Sequence, residues 1–291
     1  MSWLLLSLLV SAPSASVSAP SAPDMRARIQ KLIDASGAEV AVVFETLDGR
    51  QSLTIDPDKP FHAASTMKVP VMIELFRRAE AGTLSLDDPL LVKNEFHSIV
   101  DGSVFQLSVG DDSDAEVYKA VGKTMTLRQL CEAMITVSSN FAANLLIERL
   151  GARNIQATVD RLGASGMQVL RGVEDQKAFD KGMNNETTAR GLAVLLTKIA
   201  TGQAVSRNAD AEMVEILKRQ LFHDAIPAGL PAGTPVAHKT GNITKIHHDA
   251  AIVYGPRLYV LVVLVRGIED QKVSGPLIAS ISREVWTELA K

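Results

Sequence analysis

Ser65-Thr-Met-Lys68 opens a helical pattern that continues to Ala81, directly after the run Phe61-His-Ala-Ala64. Residues three apart lie on one face of a helix, so the Ser65 hydroxyl is expected within reach of the Lys68 amine. Serine needs a neighbouring base near neutral pH, and burial beside a second cation lowers the pKa of a lysine enough for that role. The stretch predicts an activated serine nucleophile, although S-x-x-K arises by chance roughly once in a chain of this size.

Two further motifs follow in order along the chain. Ser138-Ser-Asn140 lies at the junction of two predicted helices, and Lys239-Thr-Gly241 lies at the end of a predicted strand. S-x-x-K opening a helix, S-x-N between helices and K-T-G on an edge strand form the pattern of penicillin-recognising serine enzymes. From about Pro23 to its end, the chain resembles the class A β-lactamases and their penicillin-binding-protein relatives.

Glu174 adds a fourth element to this resemblance. It lies 36 residues after Ser138 (174 − 138), the separation at which class A enzymes place the Glu of their omega loop. Thr187 and Thr188 follow before a helix, as in that family. The resemblance makes Glu174 the candidate base for the water that releases the acyl group; the alternative is a solvated loop acid beside Asp175.

The resemblance also implies the catalytic roles. Ser65 would attack a β-lactam carbonyl, and either Lys68 or, through a water, Glu174 would receive its proton. Backbone N–H groups of Ser65 and Asn242 would form the oxyanion hole, a contribution of about 3 kcal/mol per donor in other enzymes. Ser138 would pass the proton to the departing ring nitrogen.

The resemblance further implies a substrate-binding set of Asn140, Lys239, Thr240, Gly241, Asn242 and His248. Lys239 would shape the field beside Ser138, and Thr240 would bind the substrate carboxylate. His248 falls, by ungapped counting from Lys239, where many class A enzymes carry a carboxylate-binding Arg. Imidazole is charged only when protonated, so carboxylate binding is expected to weaken as the pH rises through neutrality; Lys245 could compensate.

Two positions and one segment depart from the family pattern. Ser139 replaces the Asp usual in the middle of the second motif, and Ala178 stands where class A enzymes usually hold the hydrolytic water with an Asn. The segment from Asn94 to Tyr118 is longer than its family counterpart, and we expect it to border the cleft. Deacylation is thus the step at which the chain departs most from the pattern.

Predicted strands occur near both ends of the chain, with helices between them. The predicted strands span residues 39–46, 51–55, 236–240, 249–254 and 258–266; the predicted helices span 25–35, 65–81, 126–137, 140–150, 152–162, 187–200 with Thr187 as its cap, and 275–289. Terminal strands need partners, so an α+β fold follows. We expect a five-stranded antiparallel sheet flanked by helices, with 258–266 as a central strand and an inserted all-helical lobe, as in the β-lactamase/transpeptidase fold.

The predicted domains follow from this pattern. Residues 24–80 and 226–291 would form the α/β sheet domain and 81–225 the helical domain, with the active site in the cleft between them. Residues 3–10 (WLLLSLLV), followed by Ser, Ala and Pro, resemble a signal peptide, so 1–23 is expected to be a leader for export to the periplasm or beyond. A disordered or membrane-retained leader is the alternative. No later tract could span a bilayer, so no stable membrane association is expected after leader removal.

Composition excludes several partners and cofactors. The 291 residues carry 30 Lys and Arg against 33 Asp and Glu, a net charge of −3, without a long basic run, so nucleic acid is not an expected partner. Cys131 is the only cysteine and lies at an apolar helical position, which favours a buried, inert thiol over a nucleophile. Neither His247-His248 nor the acidic run 111–114 has the spacing of a metal site. We expect a monomer without metal or cofactor that acts on a small-molecule β-lactam.

Two other functions share these motifs. A penicillin-binding-protein-like D,D-peptidase, or another serine hydrolase with slow deacylation, would form the same acyl-serine, and Ala178 favours it. A penicilloyl sensor would acylate without turnover.

Overall fold

The computed structural model describes residues 24–291, and the expected leader at 1–23 lies outside them. Its centre is a five-stranded antiparallel sheet in the order β2-β1-β11-β10-β9. The strands are β1 (Glu39–Thr46), β2 (Ser52–Ile55), β3 (Phe61–His62), β4 (Pro89–Leu91), β5 (Phe96–His97), β6 (Val104–Phe105), β7 (Thr124–Thr126), β8 (Glu186–Thr187), β9 (Val236–Ile243), β10 (Ile246–Tyr254) and β11 (Leu258–Arg266). The expected α+β fold, with its sheet built from both chain ends, is confirmed.

The central strand joins the two ends of the chain. β11 pairs with β1 from Glu39↔Arg266 to Thr46↔Tyr259 and with β10 on its other side. Its Val/Leu run is buried on both faces, as a strand with neighbours on both edges and layers on both sides requires. The prediction of 258–266 as a central strand is confirmed.

Helices pack against both faces of the sheet. They are α1 (Met25–Ser36), α2 (Lys68–Glu80), α3 (Leu127–Thr136), α4 (Asn140–Leu150), α5 (Ala152–Leu162), α6 (Gln176–Asp180), α7 (Ala189–Ala200), α8 (Arg207–Lys218) and α9 (Gln271–Leu289). Short 3₁₀ helices span Ala64–Met67, Val117–Ala120 and Ile226–Gly229. One apolar core lies between the sheet and α1 with α9, and a larger one lies between the opposite face and the helices of the central part of the chain.

Several helix starts differ from the sequence prediction. α2 begins at Lys68 rather than 65, after the 3₁₀ helix Ala64–Met67. α7 begins at Ala189, and its cap is Thr188, whose Oγ1 accepts the Gly191 N–H at 3.0 Å. Thr187, predicted as the cap, instead pairs with Phe61 in the two-stranded β3–β8 ladder. The last helix begins at Gln271 rather than 275, because Asp270 caps it.

Candidate active site

Ser65 lies in the 3₁₀ turn that leads into α2, beside strand β9. Ala64, directly before it, has a φ of +45°, and its N–H is donated to His62 Nδ1 at 3.0 Å. A Cβ on Gly241 would lie 3.1 Å from the backbone nitrogens of Ser65 and Thr66. A real side chain here would be tighter than most Cβ contacts, so glycine favours the close approach of β9 to Ser65 and fits the last position of the K-T-G motif.

Lys68 is fully buried one turn after Ser65. Its Nζ donates to the Ser138 carbonyl oxygen at 2.6 Å and to Asn140 Oδ1 at 2.8 Å. Burial lowers the pKa of Lys68 from 10.5 to about 7, while the carboxylates of Asp112 and Glu174 oppose that shift. A substantial neutral fraction near pH 7 gives this amine the basicity required of a proton acceptor.

Ser138 Oγ lies between two buried amines. It accepts hydrogen bonds from Lys239 Nζ at 2.9 Å and from Lys68 Nζ at 3.2 Å. Burial, and then the proximity of Lys68, hold the pKa of Lys239 well below its usual 10.5. The three side chains form a continuous path along which a proton can move.

Glu174 is exposed to the cleft and is held by one amide. Its Oε1 accepts a hydrogen bond from Asn140 Nδ2 at 2.6 Å. Partial desolvation raises the pKa of Glu174 above 4.5, the Asn140 hydrogen bond opposes this, and Asp112 and Asp111 add to the rise. A carboxylate with a raised pKa beside the cleft has the character of a general base.

Backbone strain concentrates at these residues. Of the five non-glycine residues with positive φ within 24–291, three belong to the site: Ala64 at +45°, Ser138 at +59° and Glu174 at +62°. Each such conformation costs about 1–3 kcal/mol and persists only where surrounding contacts enforce it. These conformations cost stability locally, so contacts with the surrounding fold must hold the three residues in them.

Two asparagines, of which the sequence analysis missed Asn144, hold the loop carrying Glu174. Asn144 accepts the Val173 N–H at 2.7 Å and donates to its carbonyl at 3.0 Å. Asn185, which is buried, accepts the Leu170 N–H at 2.8 Å. Asn144 lies one helical turn after Asn140 on α4. That spacing places both side chains on one face of the helix, and it is the sequence feature that could have indicated Asn144.

Ser65, Asn140, Glu174 and Asn242 share one cleft of about 570 Å³. Its lining is His62, Ala64, Ser65, Asp111, Asn140, Arg171, Val173, Glu174, Asp175, Gln176, Phe179, Asn185, Asn242, Ile243 and Thr244. A concave site of this volume with convergent polar groups suits a small ligand.

The family model described as the beta-lactamase enzyme family matches residues 24–289. The chain belongs to this family. Among solved structures, PBP-A is 27% identical over 91% of this chain and 96% of its own, with a TM-score of 0.80. The β-lactamase from Sphaerobacter thermophilus DSM 20745 is 22% identical over 91% and 97%, with a TM-score of 0.79. The TLA-1 extended spectrum β-lactamase is 21% identical over 92% and 98%, with a TM-score of 0.79.

His248 does not have the position expected of it in this β-lactamase-family protein. It is fully buried, its Nδ1 accepts the Val265 N–H at 3.2 Å, and its Nε2 donates to the His62 carbonyl at 3.0 Å. Burial lowers its pKa to about 4. The expectation that a protonated His248 would bind a substrate carboxylate is therefore wrong for this structure.

The other strand residues of the predicted binding set divide between cleft and core. Asn242 is exposed and lines the cleft, whereas Thr240 is 3% exposed and pairs across the sheet with Asp249. The carbonyl of Thr240 accepts from Lys239 Nζ at 2.9 Å. Carboxylate binding by Thr240 stays a prediction.

Ala178 and Cys131 are both buried. Ala178 lies in α6, where its N–H is donated to Asp175 Oδ1 at 3.1 Å, so it directs no polar side chain at Glu174. Burial raises the pKa of the Cys131 thiol to about 12, which fits an inert core position. Within the part of the chain that the structure describes, no group of three His, Cys, Asp or Glu residues could hold a metal, and no helix could cross a membrane.

Proposed function

We propose that this protein hydrolyses β-lactams through an acyl-serine on Ser65, as a class A type serine β-lactamase. The observation that carries the proposal is the amide of Asn140, which joins the base candidate for acylation, Lys68, to the base candidate for deacylation, Glu174. An enzyme that only acylates has no use for a second base at this place. The acyl-enzyme complex of a PBP-A point mutant with penicillin G, 27% identical to this chain, supports acylation by a β-lactam.

Acylation starts with Ser65 Oγ, which attacks the lactam carbonyl while Lys68 Nζ, neutral in part near pH 7, accepts its proton. The developing oxyanion binds the backbone N–H groups of Ser65 and Asn242. The C–N bond of the ring breaks, and the nitrogen takes a proton from Ser138 Oγ, which lies 3.2 Å from Lys68 Nζ. The proton from Ser65 thus returns to the leaving group.

Deacylation uses the other end of the Asn140 amide. Glu174 removes a proton from a water, the hydroxide attacks the ester, and Ser65 leaves with a proton. The raised pKa of Glu174 increases its basicity as a carboxylate and also increases its protonated fraction at low pH. We further propose export to the periplasm or beyond and action as a monomer.

Turnover of nitrocefin tests the proposal. Purified protein should hydrolyse it, Ser65→Ala should abolish hydrolysis, and Ser52→Ala, an exposed serine on edge strand β2, should leave the rate unchanged. Glu174→Ala should accumulate an acyl-enzyme visible by intact-protein mass spectrometry. Rapid turnover by Glu174→Ala would remove the role of that residue.

A second candidate is a D,D-peptidase or other serine hydrolase that deacylates slowly. The observation that favours it is Ala178, because the buried methyl group offers no hydrogen bond to the deacylating water. Mass spectrometry separates the two: a penicilloyl adduct that lasts for hours on the unmodified protein supports the slow enzyme and contradicts the lactamase.

A further inference from the structure

The N terminus of α4 carries Asn140, and the first three N–H groups of the helix, which have no partner within it, are all capped. The first two, on Asn140 and Phe141, are donated to the two carboxylate oxygens of Asp112, each at 2.9 Å. The third, on Ala142, is donated to Ser139 Oγ at 3.3 Å, and the next, on Ala143, makes the first intrahelical bond, to the Ser139 carbonyl, at 3.3 Å. One carboxylate thus caps the two positions closest to the catalytic amide.

Asp112 belongs to the long segment between Asn94 and Tyr118, which is attached to the same helix end by further contacts. The Tyr118 ring lies 4.6 Å from that of Phe141, and its hydroxyl donates to Asp112 Oδ2 at 3.2 Å. Ser113 Oγ donates to the Val137 carbonyl at 2.7 Å. The contacts to Phe141 and Val137 are not local in sequence, so the segment is fixed to the helix junction that holds Ser138 and Asn140.

We propose that Asp112 is a positioning residue that holds the Asn140 amide between Lys68 and Glu174. The carboxylate fixes the first turn of α4, and Asn140 is the first residue of that turn, so a shift of the turn displaces both hydrogen bonds of the amide. Asp112 thereby supplies, from a different segment, the carboxylate that the second motif lacks at Ser139. The kinetic part of this inference rests on the proposed acyl-transfer function, whereas the structural part does not.

The charge of Asp112 also acts on both base candidates. The groups that face it are Lys68, Glu174, Asp111 and Tyr118, and its negative charge raises the pKa of Lys68, Glu174 and Tyr118. Removal of the charge lowers the pKa of Lys68 and of Glu174 alike. The acid limb of acylation therefore moves to lower pH whichever of the two is the base.

Asp112→Asn and Asp112→Ala test the inference, with Glu116→Gln as a control that removes an exposed carboxylate from the same segment. The acylation rate constant, followed by mass spectrometry on Ser65, should fall between about 10- and 100-fold for both variants, as expected for a misplaced catalytic group. Its acid limb should move to lower pH. A stability loss without a change in rate or pH profile would show a merely structural role and overturn the proposal.

A rescue experiment gives the sharpest readout. Ser139→Asp should slow acylation in the wild-type background, where two carboxylates would compete for one helix end, and should accelerate it in Asp112→Ala, where a carboxylate is missing. Equal effects in both backgrounds would contradict the proposal. If the unmodified protein does not acylate, the proposed function fails, and hydrogen exchange at the Asn140 and Phe141 amides still decides the structural part: faster exchange in Asp112→Ala supports it, and unchanged exchange overturns it.

Discussion

Asn140 Nδ2 donates a 2.6 Å hydrogen bond to Glu174 Oε1, which ties the S-x-N motif to the loop that carries the carboxylate. The other end of the same amide accepts from Lys68 Nζ at 2.8 Å. An amide is suited to this position because it donates at one end and accepts at the other. The two halves of the proposed reaction are therefore coupled through one neutral side chain.

Asn140→Asp should shift the pH dependence of acylation and that of deacylation in the same direction. A carboxylate at this position repels Glu174 and attracts the Lys68 ammonium, so the pKa of each rises. The acid limbs of acylation and deacylation should then move to higher pH, and a limb that moves by one pH unit lowers the rate on its acid side about tenfold. Single-turnover kinetics against pH measure both. Asn208→Asp, an exposed asparagine of α8, is the control; movement of only one limb would contradict the coupling.

The base for acylation can be identified in Glu174→Gln. The pKa of Lys68 is lowered to about 7, so the neutral amine forms as the pH rises through 7 and acylation should increase over that range. Glutamine cannot accept the proton. Loss of the Glu174 charge lowers the pKa of Lys68 further, so an acid limb that persists in this variant at a somewhat lower pH assigns the proton to Lys68. Loss of the limb together with the rate assigns it to Glu174. Acylation is followed by mass spectrometry at early times.

Much of this architecture could be predicted from local patterns. The Val/Leu run of 258–266 has no polar face, so only a strand covered on both sides accommodates it. Lys68 follows Ser65 by three residues in one continuous helical segment, a 3₁₀ turn that leads into α2, and their relation is fixed by helix geometry. The place of Ser139 is also set locally, because its hydroxyl caps α4 as an Asp carboxylate would.

Residues whose positions depend on register or on distant segments could not be predicted. The position of His248 was predicted by counting residues across a hairpin. In the structure the turn consists of Thr244 and Lys245, so His248 pairs with Gly241 and its ring lies in the core. A strand side chain changes face with every residue, so turn length decides the outcome. Asp112 and Asn140 are in contact although they are 28 residues apart in the sequence, and no local periodicity predicts such a contact.

Lys68→Met should change the pH dependence of stability. The folded-state pKa of Lys68 is about 7, below its ordinary 10.5, so between these values the unfolded chain binds more protons and the native protein gains stability as the pH rises. The variant lacks this gain. The free energy of unfolding of the wild type minus that of Lys68→Met should rise by at least about 1.4 kcal/mol per pH unit over this window, because removal of Lys68 also raises the pKa of Lys239. Urea denaturation at several pH values measures it; a difference that is flat throughout would contradict the lowered pKa.

Gly172→Ala should slow deacylation selectively. An Ala Cβ at this position would lie 2.4 Å from Asn144 Oδ1, so the Asn144 side chain must move and lose its two hydrogen bonds to Val173, the residue before Glu174. The three atoms nearest to this Cβ all belong to Asn144, so acylation should change less than about threefold while deacylation falls at least about tenfold. The acyl-enzyme should therefore accumulate in the steady state.

The comparison that isolates the cause uses two further variants. Gly110→Ala is the control, because its Cβ would meet only Ser108 Oγ at an ordinary 3.6 Å. In the background of Asn144→Ala, the clash is absent, so Gly172→Ala should have little additional effect, which is the non-additivity expected of residues in contact. Additive losses, or equal losses of acylation and deacylation, would mean that the glycine does not act through Asn144 and that the loop carrying Glu174 is held in another way.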